Sequence, residues 1–186
     1  MTVTRWTLKK GFLVAVFAAA TFAACFVAGN TITLAMGPGM SGIATIMITT
    51  ILVVICARMV ETRGVFTVVV MLFTLLALPT NMFGPPGPQK IAIGILTGAA
   101  YDLVWDLTGR KRYSLPFAAA VSTAVSILLI YWLMVLMAYP RTDYLHSLLK
   151  YLVPLYAVLG FLGAMIGNWI YDRSLSQISV IQQLKA

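Results

Sequence analysis

Two carboxylates one helical turn apart, Asp102 and Asp106, are the acidic residues that fall inside a long apolar stretch; the chain's other three, Glu61, Asp143 and Asp172, lie in polar segments. Carboxylates at i and i+4 share one helix face, and inside a membrane such groups invite a functional reading, here a proton or cation relay. A relay needs further stations, and no other carboxylate falls in any predicted span. The competing reading places Asp106 at the interface and pairs Asp102 with Arg58, Arg63 or Arg110; it is the one we favour. The one histidine, His146, supports neither a metal cluster nor a triad. Cys25 and Cys56 have no metal spacing and read as small core residues. With no phosphate-binding loop, HExxH or GxSxG motif, no catalysis, cofactor or metal is expected, and any ATP hydrolysis must come from a partner.

What remains is binding chemistry. Asn30, Thr31 and Thr33 follow the first apolar run, and Asn81, Gln89 and Lys90 flank a Pro-rich turn. Tyr131, Trp132 and Tyr156 lie in the later apolar runs. Aromatic walls with a few polar groups suit a small-molecule pocket; Asn30, Asn81, Lys90, Tyr131, Trp132 and Tyr156 are the candidate ligand contacts. The same aromatics could form an interfacial belt. That fits Tyr139, Tyr144 and Tyr151 better than the deeper Tyr131, Trp132 and Tyr156.

The elements that must position these groups are membrane helices. Of 186 residues, 61% are hydrophobic and 10% charged, and the mean hydropathy is +0.95. Soluble domains carry roughly 25% charged residues, so the bilayer must be part of the solvent. Spans of about 20 apolar residues are predicted at 11–29, 40–57, 65–83, 91–107, 115–139 and 148–171, in a single all-α bundle of six transmembrane helices. The first is read as a retained span rather than a cleaved signal. The segments 30–39 and 81–90 are predicted loops, and 172–186 a polar tail lying along the surface. Loops 30–39 and 81–90 share one face, as a lidded pocket or as ordinary turns.

Charge gives the topology a direction. Ten of the 13 Lys and Arg residues fall on the side of the N-terminus, loops 2–3 and 4–5 and the tail, leaving Lys90, Arg141 and Lys150 on the other. This bias predicts a multi-pass protein of the plasma membrane with both termini cytoplasmic. The net charge of +8 is scattered between apolar runs, so no nucleic acid is expected as a partner.

Small residues recur at four-residue spacing. Ala15, Ala19 and Ala23 form a smooth stripe on the first span; Gly94 and Gly98, and Gly163 and Gly167, form GxxxG pairs on the fourth and sixth. Such rows let another helix approach closely. The glycine pairs read as internal packing. The alanine stripe reads either as internal packing or as a docking face for a partner membrane protein.

Together these features resemble the substrate-binding S component of energy-coupling factor (ECF) vitamin transporters. The architecture matches over nearly the whole chain. The string Gly84-Pro-Pro-Gly-Pro88, Gly94-x-x-x-Gly98, Asp102-Leu-Val and Arg112-Tyr-Ser-Leu-Pro116 is similar to the thiamine/hydroxymethylpyrimidine-type branch. The resemblance implies a vitamin or its precursor bound in an outward pocket closed by loops 1–2 and 3–4. It implies that Ala15, Ala19 and Ala23 dock a transmembrane coupling subunit, which works with ATPase subunits. The outer side departs from a cation site: its one acid is Asp143, while Lys90 at the pocket mouth suits a carboxylate or phosphate, or anchors its helix at the interface. Two further classes remain open on the residues: a membrane scaffold or assembly protein, and a small secondary transporter using Asp102 and Asp106.

Overall fold

Long apolar runs without interior breaks become helices because in lipid each backbone polar group must be satisfied within the segment. The computed structural model describes residues 5–36, 38–80, 82, 86–138 and 142–177. Among them are six α-helices and no strand: α1 (Leu8–Met36), α2 (Pro38–Val60), α3 (Val65–Leu76), α4 (Gln89–Leu107), α5 (Leu115–Leu136) and α6 (Thr142–Ile170). A 3₁₀ turn, Arg112–Ser114, leads into α5, and a π turn, Tyr171–Leu175, ends α6. α1, α2, α5 and α6 are long and apolar enough to cross a membrane.

Neighbour contacts close the helices into a ring, in the order α1, α2, α6, α5, α4, α3 and back to α1; α2 also touches α3 and α5 across it. Glycine makes several of these seams possible. A Cβ on Gly98 would stand 2.5 Å from the Thr67 Cα of α3, and one on Gly167 would stand 2.9 Å from the Ile51 carbonyl of α2. Both GxxxG pairs are thus used inside the chain, as expected.

Three boundaries differ from the sequence expectation. The predicted loop 30–39 is largely helix, because α1 runs on to Met36 and α2 starts at Pro38. The Thr31 hydroxyl donates back to the Val27 carbonyl (2.9 Å), so this polar residue stays within the helix, and Pro38 suits a first helical turn. α3 stops at Leu76 instead of continuing to 83; Pro79 has no N–H for the next bond of the ladder. The segment 172–177 is not a free tail. It continues α6 as the π turn, where Tyr171 is buried and the Ser176 N–H donates to the Tyr171 carbonyl (2.9 Å). Residues 178–186 lie outside the described set.

The cationic residues of loops 2–3 and 4–5 meet at one end, called here the basic end. Arg58, buried, donates to Asn168 Oδ1 (3.1 Å) and Asp172 Oδ1 (3.0 Å) and stacks on Tyr171. Arg112 reaches the other Asp172 oxygen (3.1 Å). Arg110 donates to the Thr62 carbonyl (2.9 Å), pairs with Asp106 (3.3 Å) and covers Trp105. Its backbone sits at φ 55°, and its N–H closes the end of α4 on the Trp105 carbonyl (2.9 Å). Burial draws the Arg110 guanidinium below its ordinary pKa, while Asp106 and Asp102 oppose that shift. Just inside this end the core is solid. Phe66 stacks on Tyr101 (3.6 Å between centroids) and meets Trp105 edge-on (5.3 Å), with Val60, Val65, Leu115 and Ala118 fully buried around them.

Candidate functional site: a hydroxyl-lined cavity in the ring

A helix of 12 residues is only ~18 Å long, well short of a ~30 Å hydrocarbon core. α3 is that helix, and its own sequence caps neither end: Gly64 before it is left-handed (φ 76°) and offers no side chain. Its antiparallel neighbour α4 supplies both caps. Asp102 Oδ2 accepts from the Thr67 backbone N–H (2.8 Å) and the Thr67 hydroxyl (2.6 Å) at the start of α3. At the other end the fully buried Lys90 ammonium donates to the Ala77 and Thr80 carbonyls. A carboxylate at the N-terminus and an ammonium at the C-terminus are the favourable signs for the helix dipole. Lys90 and Asp102 are 12 positions apart on α4, matching the 12 residues of α3, so the pair spans it end to end.

This arrangement leaves a cavity of about 60 Å³ between α2, α3, α4 and α5. Its walls are apolar and aromatic (Ile46, Val53, Val70, Phe73, Ile93, Tyr101) and hydroxylic (Thr49, Thr50, Thr74, Thr97, Ser122, Thr123, Ser126). Toward the basic end the stacked Phe66, Tyr101 and Trp105 close it off. Most of the hydroxyls with assigned bonds are turned to protein. Ser122 donates to the Thr97 carbonyl (2.8 Å), and Thr123 reaches the Tyr156 carbonyl of α6 (2.9 Å). Thr74 donates to the Met71 carbonyl (2.9 Å), and Thr49 meets the Cys25 thiol of α1 (3.2 Å). The Tyr101 phenol donates to the Leu115 carbonyl (2.9 Å). The exception is Thr97, whose buried hydroxyl has no hydrogen-bond partner.

The residues singled out by sequence do not converge on this cavity. Lys90, expected to suit an anion at the pocket mouth or to anchor its helix at the interface, faces the carbonyls at the end of α3. Asn30 is exposed on α1. Asn81 lies outside the described residues. Tyr131 and Trp132 stay together on α5: the Tyr131 phenol meets His146 Nδ1 (2.9 Å), and Trp132 is 60% exposed. Tyr156 is half-buried against Gly42 of α2, close enough that a Cβ there would fall 2.7 Å from its oxygen. The two aspartates divide as well. Asp106, expected at the interface, pairs with Arg110 (3.3 Å), whereas Asp102, expected to bind an arginine, caps α3. Both cysteines are buried and free, as expected.

The sequence does carry a signal for the cavity. Thr49 and Thr50, Thr97, and Ser122, Thr123 and Ser126 are hydroxyls at helical spacing in otherwise apolar runs, the pattern of residues that bond across membrane helices. Each could equally have bonded its own backbone, so the signal does not separate a cavity from a seam.

Ala15, Ala19 and Ala23 are exposed, while Val14, Ala18, Thr21 and Cys25 form the buried side of α1. Among the described residues the stripe is therefore not part of the buried seam of α1. Among the described residues no three His, Cys, Asp or Glu side chains are grouped to hold a metal. No protein-family model, curated protein or solved structure matches the chain.

Proposed function

We propose that this chain is the substrate-capture subunit of an importer of the energy-coupling factor type. In this reading it is a multi-pass plasma-membrane protein with its basic end and both termini in the cytoplasm. It holds a vitamin or a related small molecule within the ring, and a separate transmembrane coupling subunit with ATPases drives release inward. The observation that carries the reading is a separation of surfaces. The cavity is walled by α2 to α5, whereas α1, which lines none of it, turns an unused alanine row outward. A coupling subunit can slide along such a row without disturbing the binding helices.

The basic end supports the orientation, since Arg58, Arg110 and Arg112 gather there. A secondary transporter using Asp102 and Asp106 fits less well, because both carboxylates are committed to structural partners. The test is copurification. A tagged chain should bring down a coupling subunit, and Ala19→Trp should abolish that at an unchanged melting temperature. Copurification unaffected by Ala19→Trp overturns the docking role.

A further inference from the structure

We infer that the cavity takes a small, uncharged molecule that exchanges a hydrogen bond with the Thr97 hydroxyl; this rests on the capture reading above and narrows its substrate. Three observations carry it.

The first is the wall. Its polar groups are aliphatic hydroxyls and one phenol, and that phenol is already donating to the Leu115 carbonyl. Among the described residues no carboxylate, ammonium or guanidinium lines it. The second is where the nearest charges go. Lys90 lies one turn beyond Ile93 on α4, and Asp102 is next to Tyr101, so both flank the cavity in sequence. Each is hydrogen-bonded at an end of α3 and does not line the cavity. An ion entering the cavity would lose its water and meet no counter-charge, which is prohibitive in an apolar interior. A neutral molecule loses far less.

The third is the open bond. Thr97 is about nine-tenths buried and lines the cavity, and among the described residues its buried hydroxyl has no hydrogen-bond partner. A buried hydroxyl left unpaired destabilises the protein that carries it. Gly94 and Gly98 on the same helix hold α4 tight against α3, so Thr97 cannot relax by moving the helix away. The group is placed for something that enters. A volume of about 60 Å³ holds roughly four to six waters, the space of one small ring. Phe73 and Tyr101 are the aromatic residues of its wall.

The test uses the full chain in nanodiscs and three probes that share one ring: nicotinamide (neutral), nicotinate (anion) and 1-methylnicotinamide (cation), at equal millimolar concentration. Nicotinamide is expected to raise the melting temperature by about 2 °C or more, and the two ions to leave it unchanged. Thr97→Val keeps the shape and removes the hydroxyl. It should abolish the nicotinamide shift while the probe-free melting temperature stays equal or rises. An ion that shifts melting as much as nicotinamide overturns the neutral-ligand inference, and so does no shift with any probe. A lower probe-free melting temperature for Thr97→Val would mean that the hydroxyl serves the fold, through buried water. These outcomes are separate from the capture reading: copurification insensitive to Ala19→Trp, with the probe pattern intact, would remove the coupling role and leave the site.

Discussion

Gly94 and Gly98 on α4 and Ala15, Ala19 and Ala23 on α1 follow the same four-residue spacing and go to opposite places. The glycine row is pressed into α3, where one added carbon would collide with the Thr74 side chain at Gly94 and with the Thr67 backbone at Gly98. The alanine row faces out, and its helix packs through the neighbouring face of Val14, Ala18, Thr21 and Cys25. Small residues permit close approach, but they do not choose the partner. On α4 the choice follows from charge. Lys90 and Asp102 grip the two ends of a helix too short to span alone, and once they are seated the glycines between them must meet α3. α1 has no comparable grip on its alanine side.

The comparison can be broken from the glycine side first. Gly98→Leu forces a branched side chain into the Thr67 backbone and should cost about 3 kcal/mol, the upper end for overpacking, read as a drop in melting temperature in detergent. Asp102→Ala strips the cap from α3 and should cost about 2 kcal/mol. Asp102→Asn, which keeps an acceptor, should recover part of that loss. Lys90→Met removes the ammonium donor from the Thr80 carbonyl and one of three donors from the Ala77 carbonyl, and should cost about 1–2 kcal/mol. If it were neutral, the ammonium would not be holding α3. The alanine row should show the smallest effect. Ala19→Leu is expected to change stability by less than ~0.5 kcal/mol, as for substitutions away from packed contacts. A loss as large as that of Gly98→Leu would place the row in an internal seam.

Much of the fold was legible without coordinates, for physical reasons that particular residues show. A continuous run such as 11–29 has few ways to satisfy its backbone in lipid except as a helix, so element type follows from composition. Helix ends were harder to place. Asn30, Thr31 and Thr33 looked like a loop, yet a hydroxyl that bonds back to the preceding turn keeps the helix going. Pro79 did end α3, but the run of Leu and Ala before it masked how early. The site was less legible than the fold. Tyr131, Trp132 and Lys90 have the right chemistry for a pocket, and each found a neighbour or an outward face instead.

The sequence by itself determined an all-helical, apolar chain with its cations grouped in alternate connections, because hydropathy and charge act on each segment independently. Only the tertiary structure decided the ring order, the capping of α3 from α4, the outward turn of the alanines and the unpaired hydroxyl of Thr97. Each of those depends on which helix face meets which, and that is settled by the whole set of contacts rather than by any one helix.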